Sequence, residues 1–265
     1  MAVEHVLYDN KVLENKITDL VNTKLEVRSL MTIDYGLAEK AGLTKTVNKY
    51  TYSGKVEKLA KGAKNSERGK VTFTPTDYTV ERYQQTYDYN DMDVMKDPMV
   101  VDVASRGAAT LMANEIKDEY FAELAKITNI HTYTKDTSPN YDTIVDALAT
   151  LDQEVEDGMF LLMGNDMRAV FRKDADYKSA KQGEILYTGQ FGTICGLPCL
   201  FSKKVPAKTI YLTSRDAITF FVKREGSVEQ DRDIETKDNT VVYERHGLVA
   251  LVDETKSVKI TEATA

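Results

Sequence analysis

Residues 46–52 read TVNKYTY, residues 70–83 read KVTFTPTDYTVERY, and between them residues 53–69 read SGKVEKLAKGAKNSERG. Both flanks alternate polar with apolar or aromatic side chains, which is the period of a strand with one drier face. The segment between them has almost nothing to bury. Together they predict an extended β-hairpin over residues 46–83. Its tip is basic: Lys55, Lys58, Lys61, Lys64, Arg68 and Lys70 stand against Glu57 and Glu67. A solitary globule has little use for a ribbon that cannot cover its own apolar positions. Such a ribbon suits a chain that lays it across a neighbouring copy, where a basic tip meets an acidic patch. The plainer alternative is a solvated surface loop.

The ribbon leads through an extended, aromatic stretch (Tyr83, Tyr87, Tyr89) into the longest helical pattern of the chain. Asp97 is placed to cap that helix and Pro98 to occupy its first position, where a missing N–H costs nothing. Val101, Ala104, Ala108, Leu111, Met112, Ile116, Tyr120, Leu124 and Ile127 then recur at three- and four-residue intervals. About 30 residues make a rod of roughly 45 Å. Ala104, Gly107, Ala108 and Ala109 leave room for the close approach of another backbone.

On the N-terminal side, residues 1–9 read as a loose arm. Leu13, Ile17, Leu20, Val21 and Leu25 form one face of a short helix from Asn10. Beyond the long helix, Ser138-Pro139-Asn140 breaks the chain. Residues 141–155 give a second helix with Ile144, Val145, Leu148 and Leu151 on one face, and residues 159–163 a buried strand. Asn165 or Asp166 caps a short helix at 167–172. Residues 173–192 are polar and Gly-punctuated, hence loop. Residues 193–202 (TICGLPCLFS) form a strand containing a Gly-Leu-Pro turn. Further strands fall at 209–212, 218–222, 228–236, 240–244, 248–252 and 258–260. Helices interspersed with short strands indicate a mixed α and β class.

Bulk properties set the outer limits. The chain has 265 residues, 42% hydrophobic and 29% charged, a composition that folds rather than stays disordered. A formal charge of −7 disfavours a non-specific grip on nucleic acid. No apolar run approaches the roughly 20 residues of a membrane helix. His5 to Asn15 is polar and lacks the apolar core of a secretory signal. Two cysteines without such a signal point to a reducing compartment.

No motif reads as a catalytic, cofactor-binding or metal-binding site. Residues 62–70 (GAKNSERGK) superficially resemble a phosphate loop, but six residues rather than four separate the glycines and Val71 stands where Ser or Thr is needed. Cys195 and Cys199 have no second Cys/His cluster to complete a metal site, and His5, His131 and His246 are far apart. They read as two small buried thiols. Carboxylates cluster at Asp88, Asp91, Asp93 and Asp97, and again at Glu229, Asp231, Asp233 and Glu235. Strand alternation puts the second set on one face, where it repels itself unless it meets cations. That reads as a solvated or interface surface ahead of a divalent-metal site.

Two strings near the C-terminus carry a resemblance. Residues 191–203 (FGTICGLPCLFSK) resemble a recurring G-x-I-x-G-L-P-V segment that precedes a strand. Residues 228–252 (VEQDRDIETKDNTVVYERHGLVALV) resemble a closing pattern of strand, polar turn, Arg-bearing strand and apolar strand. Both belong to the HK97-type major capsid proteins of tailed bacteriophages, which the order of elements over residues 40–260 also resembles.

The resemblance implies an α+β, HK97-like capsid fold. Its parts would be an N-terminal arm with a short helix (1–45), an extended β-hairpin or E-loop (46–83), a P-domain with the spine helix (84–137), a mixed α/β A-domain (138–227) and closing strands with a tail (228–265). The closing strands would partly return to the P-domain. It implies a structural, non-enzymatic protein assembling in the bacterial host cytoplasm. Its partners would be itself, as pentamers and hexamers, a separate scaffolding protein and a portal. The shell would be an icosahedral virion capsid around double-stranded DNA, held without sequence-specific binding and with no membrane.

Its implied contacts are the tip cations and the turn residues Glu229, Asp231, Arg232, Asp233, Glu244 and Arg245, with loops in 173–192 crowding the symmetry axes. Some relatives carry a removable N-terminal scaffolding segment. Here the hairpin begins near residue 46, so a separate scaffold or an already mature chain is expected. Some relatives also crosslink a loop lysine to an asparagine, a role for which Asn239 is in view. Two rivals remain: an encapsulin-like nanocompartment with the same fold, and a cytosolic α/β enzyme with an unrecognised site.

Overall fold

The computed structural model describes residues 10–26, 30–66, 68–151, 158–174 and 193–263. Chain order begins with helix α1 (Asn10–Glu26), strands β1 (Thr32–Asp34), β2 (Thr44–Ser53), β3 (Lys70–Thr79) and β4 (Glu81–Asn90), and helices α2 (Asp91–Lys96) and α3 (Val100–Ala125). Next come β5 (Ile130–Tyr133), α4 (Tyr141–Leu151), β6 (Met159–Met163) and α5 (Asn165–Lys173). The last third holds β7 (Thr193–Ile194), β8 (Leu197–Phe201), β9 (Thr209–Ser214), β10 (Ile218–Arg232), β11 (Asp238–Leu251) and β12 (Val258–Glu262).

Helix α3, at 26 residues, is about 39 Å long. Its buried stripe runs through Val101, Ala108, Met112, Ile116, Tyr120 and Leu124. Ala109 and Ala113 are fully buried, and these small side chains let α1 lie close against α3 through Leu13, Ile17 and Val21. Two sequence expectations fail here. Leu111 is exposed, and Gly107 opens onto empty space rather than a packed backbone. The buried stripe passes through Ala109 and Met112 instead, so Leu111 rotates to the solvent side. The helix also starts at Val100, not at Pro98. The Asp97 carboxylate accepts from Met99 N at 2.9 Å and closes a turn that contains Pro98.

The two helices cover one face of a four-stranded sheet ordered β1-β10-β11-β4. The separate strands expected at 218–222 and 228–236 are one strand, β10, and those at 240–244 and 248–252 are one strand, β11. Register shifts between Val222 and Arg224, and between Arg224 and Ser227, bend the hairpin without ending it. Gly247 sits at that bend, opposite Val222. A Cβ there would fall 2.8 Å from the Phe220 ring and 2.9 Å from the Phe221 carbonyl oxygen, closer than any side chain tolerates.

The second sheet has six strands in the order β5-β12-β9-β6-β8-β7. Strand β6 (MFLLM) is buried throughout because both its faces are covered. Phe160 and Leu162 join the core beneath α3, while Leu161 and Met163 pack with α4 and α5 through Ile144, Ala147 and Phe171. In α4 it is Ala147, not the exposed Val145, that completes the buried face. Its expected continuation over 152–155 lies outside the described residues.

The turn after β7 is Cys195-Gly196, both with positive φ (52° and 79°), as a tight hairpin requires. Leu197 and Pro198 therefore belong to β8, not to the turn. Helix α5 begins at Asn165 with Gly164 at its cap, and the Asp166 carboxylate instead accepts from Lys208 N at 2.8 Å.

Core dependence is testable by urea unfolding. Ile116→Ala, at a fully buried position under α1, is expected to cost about 2–5 kcal/mol, and Gly247→Ala about 1–3 kcal/mol through overpacking. Leu111→Ala is expected to stay within about 0.5 kcal/mol of the parent. Equal losses at Leu111 and Ile116 would contradict this packing.

Candidate assembly surface

Strands β2 and β3 form a two-stranded sheet of their own, paired from Thr44↔Thr79 to Ser53↔Lys70. Ten residues per strand make a ribbon of about 33 Å. Residues 81–83, read as the end of the hairpin, belong instead to β4, where Tyr83 is buried against Phe220. The chain leaves one sheet and enters the other at Val80.

The root of the ribbon is fixed to the body. Val47, Tyr78 and Val80 pack with Leu37, Phe221, Leu248 and Ala250. Lys45 sits 4.8 Å over the Phe221 ring, and Lys49 Nζ reaches Glu254 Oε2 at 2.5 Å. Burial disfavours charge on Glu254, but hydrogen bonds from Lys49 and from Thr128 outweigh it and hold the carboxyl below its usual range. The Tyr78 hydroxyl donates to Glu123 at 3.3 Å, and burial together with that carboxylate pushes the phenol up to about 12.

Alternation puts Lys45, Val47, Lys49 and Tyr78 on the anchored face. The other face carries the Tyr50–Phe73 and Tyr52–Val71 pairs. Tyr50 is 69%, Tyr52 71% and Phe73 63% exposed, and the Tyr50 and Phe73 rings lie 6.3 Å apart. Large aromatic side chains are rarely left this open in a contiguous group.

At the tip, Tyr52 lies against Gly54 and Gly69, and Ser66 donates from N (3.1 Å) and Oγ (2.7 Å) to Glu57. Lys55, Lys58, Lys61, Lys64, Arg68 and Lys70 are all exposed, and none forms an ion pair among the described residues.

The C-terminal turn residues do not form the single surface expected of them. Glu229, Asp231 and Glu244 alternate onto the open face of the four-stranded sheet, beside Asp88, which accepts from Thr240 at 2.7 Å. On that face Arg224 bonds Glu244 at 3.3 Å. Arg232 turns to the other side and donates to Asp91 Oδ2 at 2.6 Å. Asp233 and Glu235 lie beyond the end of β10, so the four-carboxylate strand face does not exist. The Asp233 carboxylate caps the turn by accepting from Glu235 N and Thr236 N, which hold it below its usual range.

Arg245 is fully buried under α1, where it donates to Asn22 Oδ1 at 2.9 Å and stacks 5.3 Å from the Phe220 ring. Asn239 is buried with its amide held by Asp91 at 2.8 Å, so it is not presented for a crosslink. Residues 175–192, most of the loop expected at the symmetry axes, lie outside the described residues.

No group of three or more His, Cys, Asp and Glu is placed to hold a metal among the described residues. The Cys199 thiol is pushed up to about 12 by burial, and Cys195 occupies the turn rather than the strand. No described helix is long and apolar enough to cross a membrane.

A body of two sheets bound by a long helix, with a rooted ribbon whose apolar face points outward, is the subunit of a shell. A family model described as phage capsid protein matches residues 73–260, and the chain belongs to that family. It is similar to the major capsid protein of Staphylococcus phage phiMR11, at 24% identity over 96% of this chain and 95% of that protein. Among solved structures it is similar to the capsid of a native GTA particle, with TM-score 0.74, 12% identity and 91% of each chain covered. It is also similar to the capsid of Cyanophage P-SCSP1u, with TM-score 0.69, 9% identity, 90% of this chain and 88% of that one. The fold is the HK97-like capsid fold.

Beside the ribbon root, Glu81, Glu115 and Glu123 act on Glu119, which accepts from the Tyr83 hydroxyl. Burial, reinforced by the neighbouring carboxylates and opposed by Tyr83, pushes the Glu119 carboxyl up to about 7 from 4.5. The folded state then holds a proton that the unfolded state releases near 4.5, so stability falls as pH rises from about 4.5 through about 7. Glu119→Gln is expected to leave unfolding at pH 4.5 unchanged. At pH 8 it should raise stability by about 1–2 kcal/mol, a figure reduced for the group's partial exposure. A variant effect independent of pH would contradict the assignment.

Proposed function

We propose that this chain is the major capsid protein of a tailed phage, a structural subunit that associates as pentamers and hexamers into an icosahedral shell around double-stranded DNA. Packing, not catalysis, is its work. The observation that carries this reading is the outward apolar face of Tyr50, Tyr52, Val71 and Phe73 on a ribbon that, among the described residues, is fixed at its root. Burying those four side chains on a sister subunit is worth roughly 5 kcal/mol per ribbon.

In this proposal the ribbon is the E-loop. Its basic tip runs over the open sheet face of the neighbour, where Asp88, Glu229, Asp231 and Glu244 offer the opposite sign. Helix α3 serves as the spine of a P-domain, and the six-stranded sheet with α4 and α5 as the A-domain. Scaffolding protein and portal are its assembly partners, and assembly takes place in the host cytoplasm. The virus-like particle of Pyrococcus furiosus has a similar fold, with TM-score 0.62 over 97% of this chain. The likeness to the staphylococcal phage protein over nearly the full length of both chains favours the phage reading over a cargo compartment.

Tyr50→Ser combined with Phe73→Ser, and separately deletion of residues 54–69, are expected to leave the melting point of the subunit unchanged, because among the described residues the contacts of the altered side chains stay within the ribbon. Both are expected to abolish closed particles in negative-stain microscopy, with and without coexpressed scaffold. Normal particles from either variant would refute the ribbon's role.

A further inference from the structure

A concave site remains that the shell reading does not use. It lies between the middle of α3, the start of α5 and the segment after β8, and holds about 430 Å³. Lys117, Arg168, Lys203 and Lys204 line it and, among the described residues, no carboxylate does, in a chain whose formal charge is −7. The Arg168 guanidinium carbon lies over the Phe201 ring, 4.6 Å from its centre. Its buried Nε has no hydrogen-bond partner. A planar guanidinium can receive a tetrahedral oxyanion in two parallel bonds.

Neutral donors complete the lining. Ser202 Oγ accepts from Lys204 N at 3.2 Å, which leaves its hydroxyl proton to donate outward, and the amides of Asn114 and Asn165 stand alongside. Lys117 spends one donor on the Lys24 carbonyl at 2.9 Å. Lys204 pairs with the Asp118 carboxylate at 2.5 Å. Lys203 is exposed and makes no ion pair among the described residues. Asp166, in the first turn of α5, is drawn off by Lys208 N and does not compete.

We propose that this cleft binds a phosphate group. Several positive charges converging with hydroxyl and amide donors match a multiply charged oxyanion. For a shell around DNA the natural source is the nucleic-acid backbone. That choice of source rests on the function proposed above, whereas oxyanion binding by the cleft does not.

The test uses the full-length chain, with pyrophosphate followed by calorimetry and a fluorescein-labelled DNA duplex followed by anisotropy across a salt series. Pyrophosphate is expected to bind, and Arg168→Gln with Lys203→Gln to weaken it at least about tenfold. Lys64→Gln, at the ribbon tip, is expected to change nothing. Because Lys203 is exposed, Lys203→Gln alone, with its fold checked by circular dichroism, gives the same direction if the double variant misfolds. Competition between duplex and pyrophosphate, with the salt slope falling by about 0.9 per cation removed, assigns the phosphate to nucleic acid. Pyrophosphate binding that duplex does not displace keeps the site and assigns it to a free oxyanion. Binding unaffected by either variant, or an oligoglutamate peptide held as tightly as pyrophosphate, would overturn the proposal.

Discussion

A two-stranded ribbon has two faces, and a globule that touches it only at one end can bury only part of one of them. Everything distinctive about this subunit follows from that geometry. The face carrying Lys45, Val47, Lys49 and Tyr78 is used at the root, where Leu37, Phe221 and Leu248 receive it. The opposite face, with Tyr50 paired to Phe73 and Tyr52 to Val71, has no counterpart among the described residues of its own body. A ribbon of this kind is stable as an isolated element only at the margin, and in the proposed shell a second molecule supplies what the first lacks.

The body is organised to hold that ribbon steady. Helix α3 carries Glu123, which receives Tyr78, and lies over the core that contains Tyr83, so spine and ribbon root meet at one place. The same helix packs against α1 through its small residues and shares its core with β6, which joins the two sheets. A displacement of the ribbon therefore bears on the helix that ties the molecule together. The carboxylates gathered beside Tyr83 make that junction sensitive to proton binding, because charge on Glu119 is opposed by its burial and its neighbours.

Periodicity revealed the parts in which a single pattern dominates. The ribbon, α1 and α3 were legible because their apolar residues recur at the strand or helix period over long stretches. What escaped was set by contacts between distant residues. Arg245 sits in a polar run and reads as a surface cation, yet strand alternation drives it under α1 to Asn22. Asn239 and Arg232 read as an exposed turn, yet Asp91 binds both. The strands β10 and β11 looked broken at KREG and at RHG because a bulge that preserves pairing has the same composition as a loop. The cleft around Arg168 left no local trace, since its four cations come from three separate stretches of the chain.

The most direct test of the central claim is amide hydrogen exchange over Tyr50–Ser53 and Lys70–Phe73, compared between free subunits and assembled shells. The account predicts slower exchange in shells at these distal positions, with the root around Val47 and Tyr78 protected alike in both. Identical exchange of the distal ribbon in free and assembled protein would contradict it.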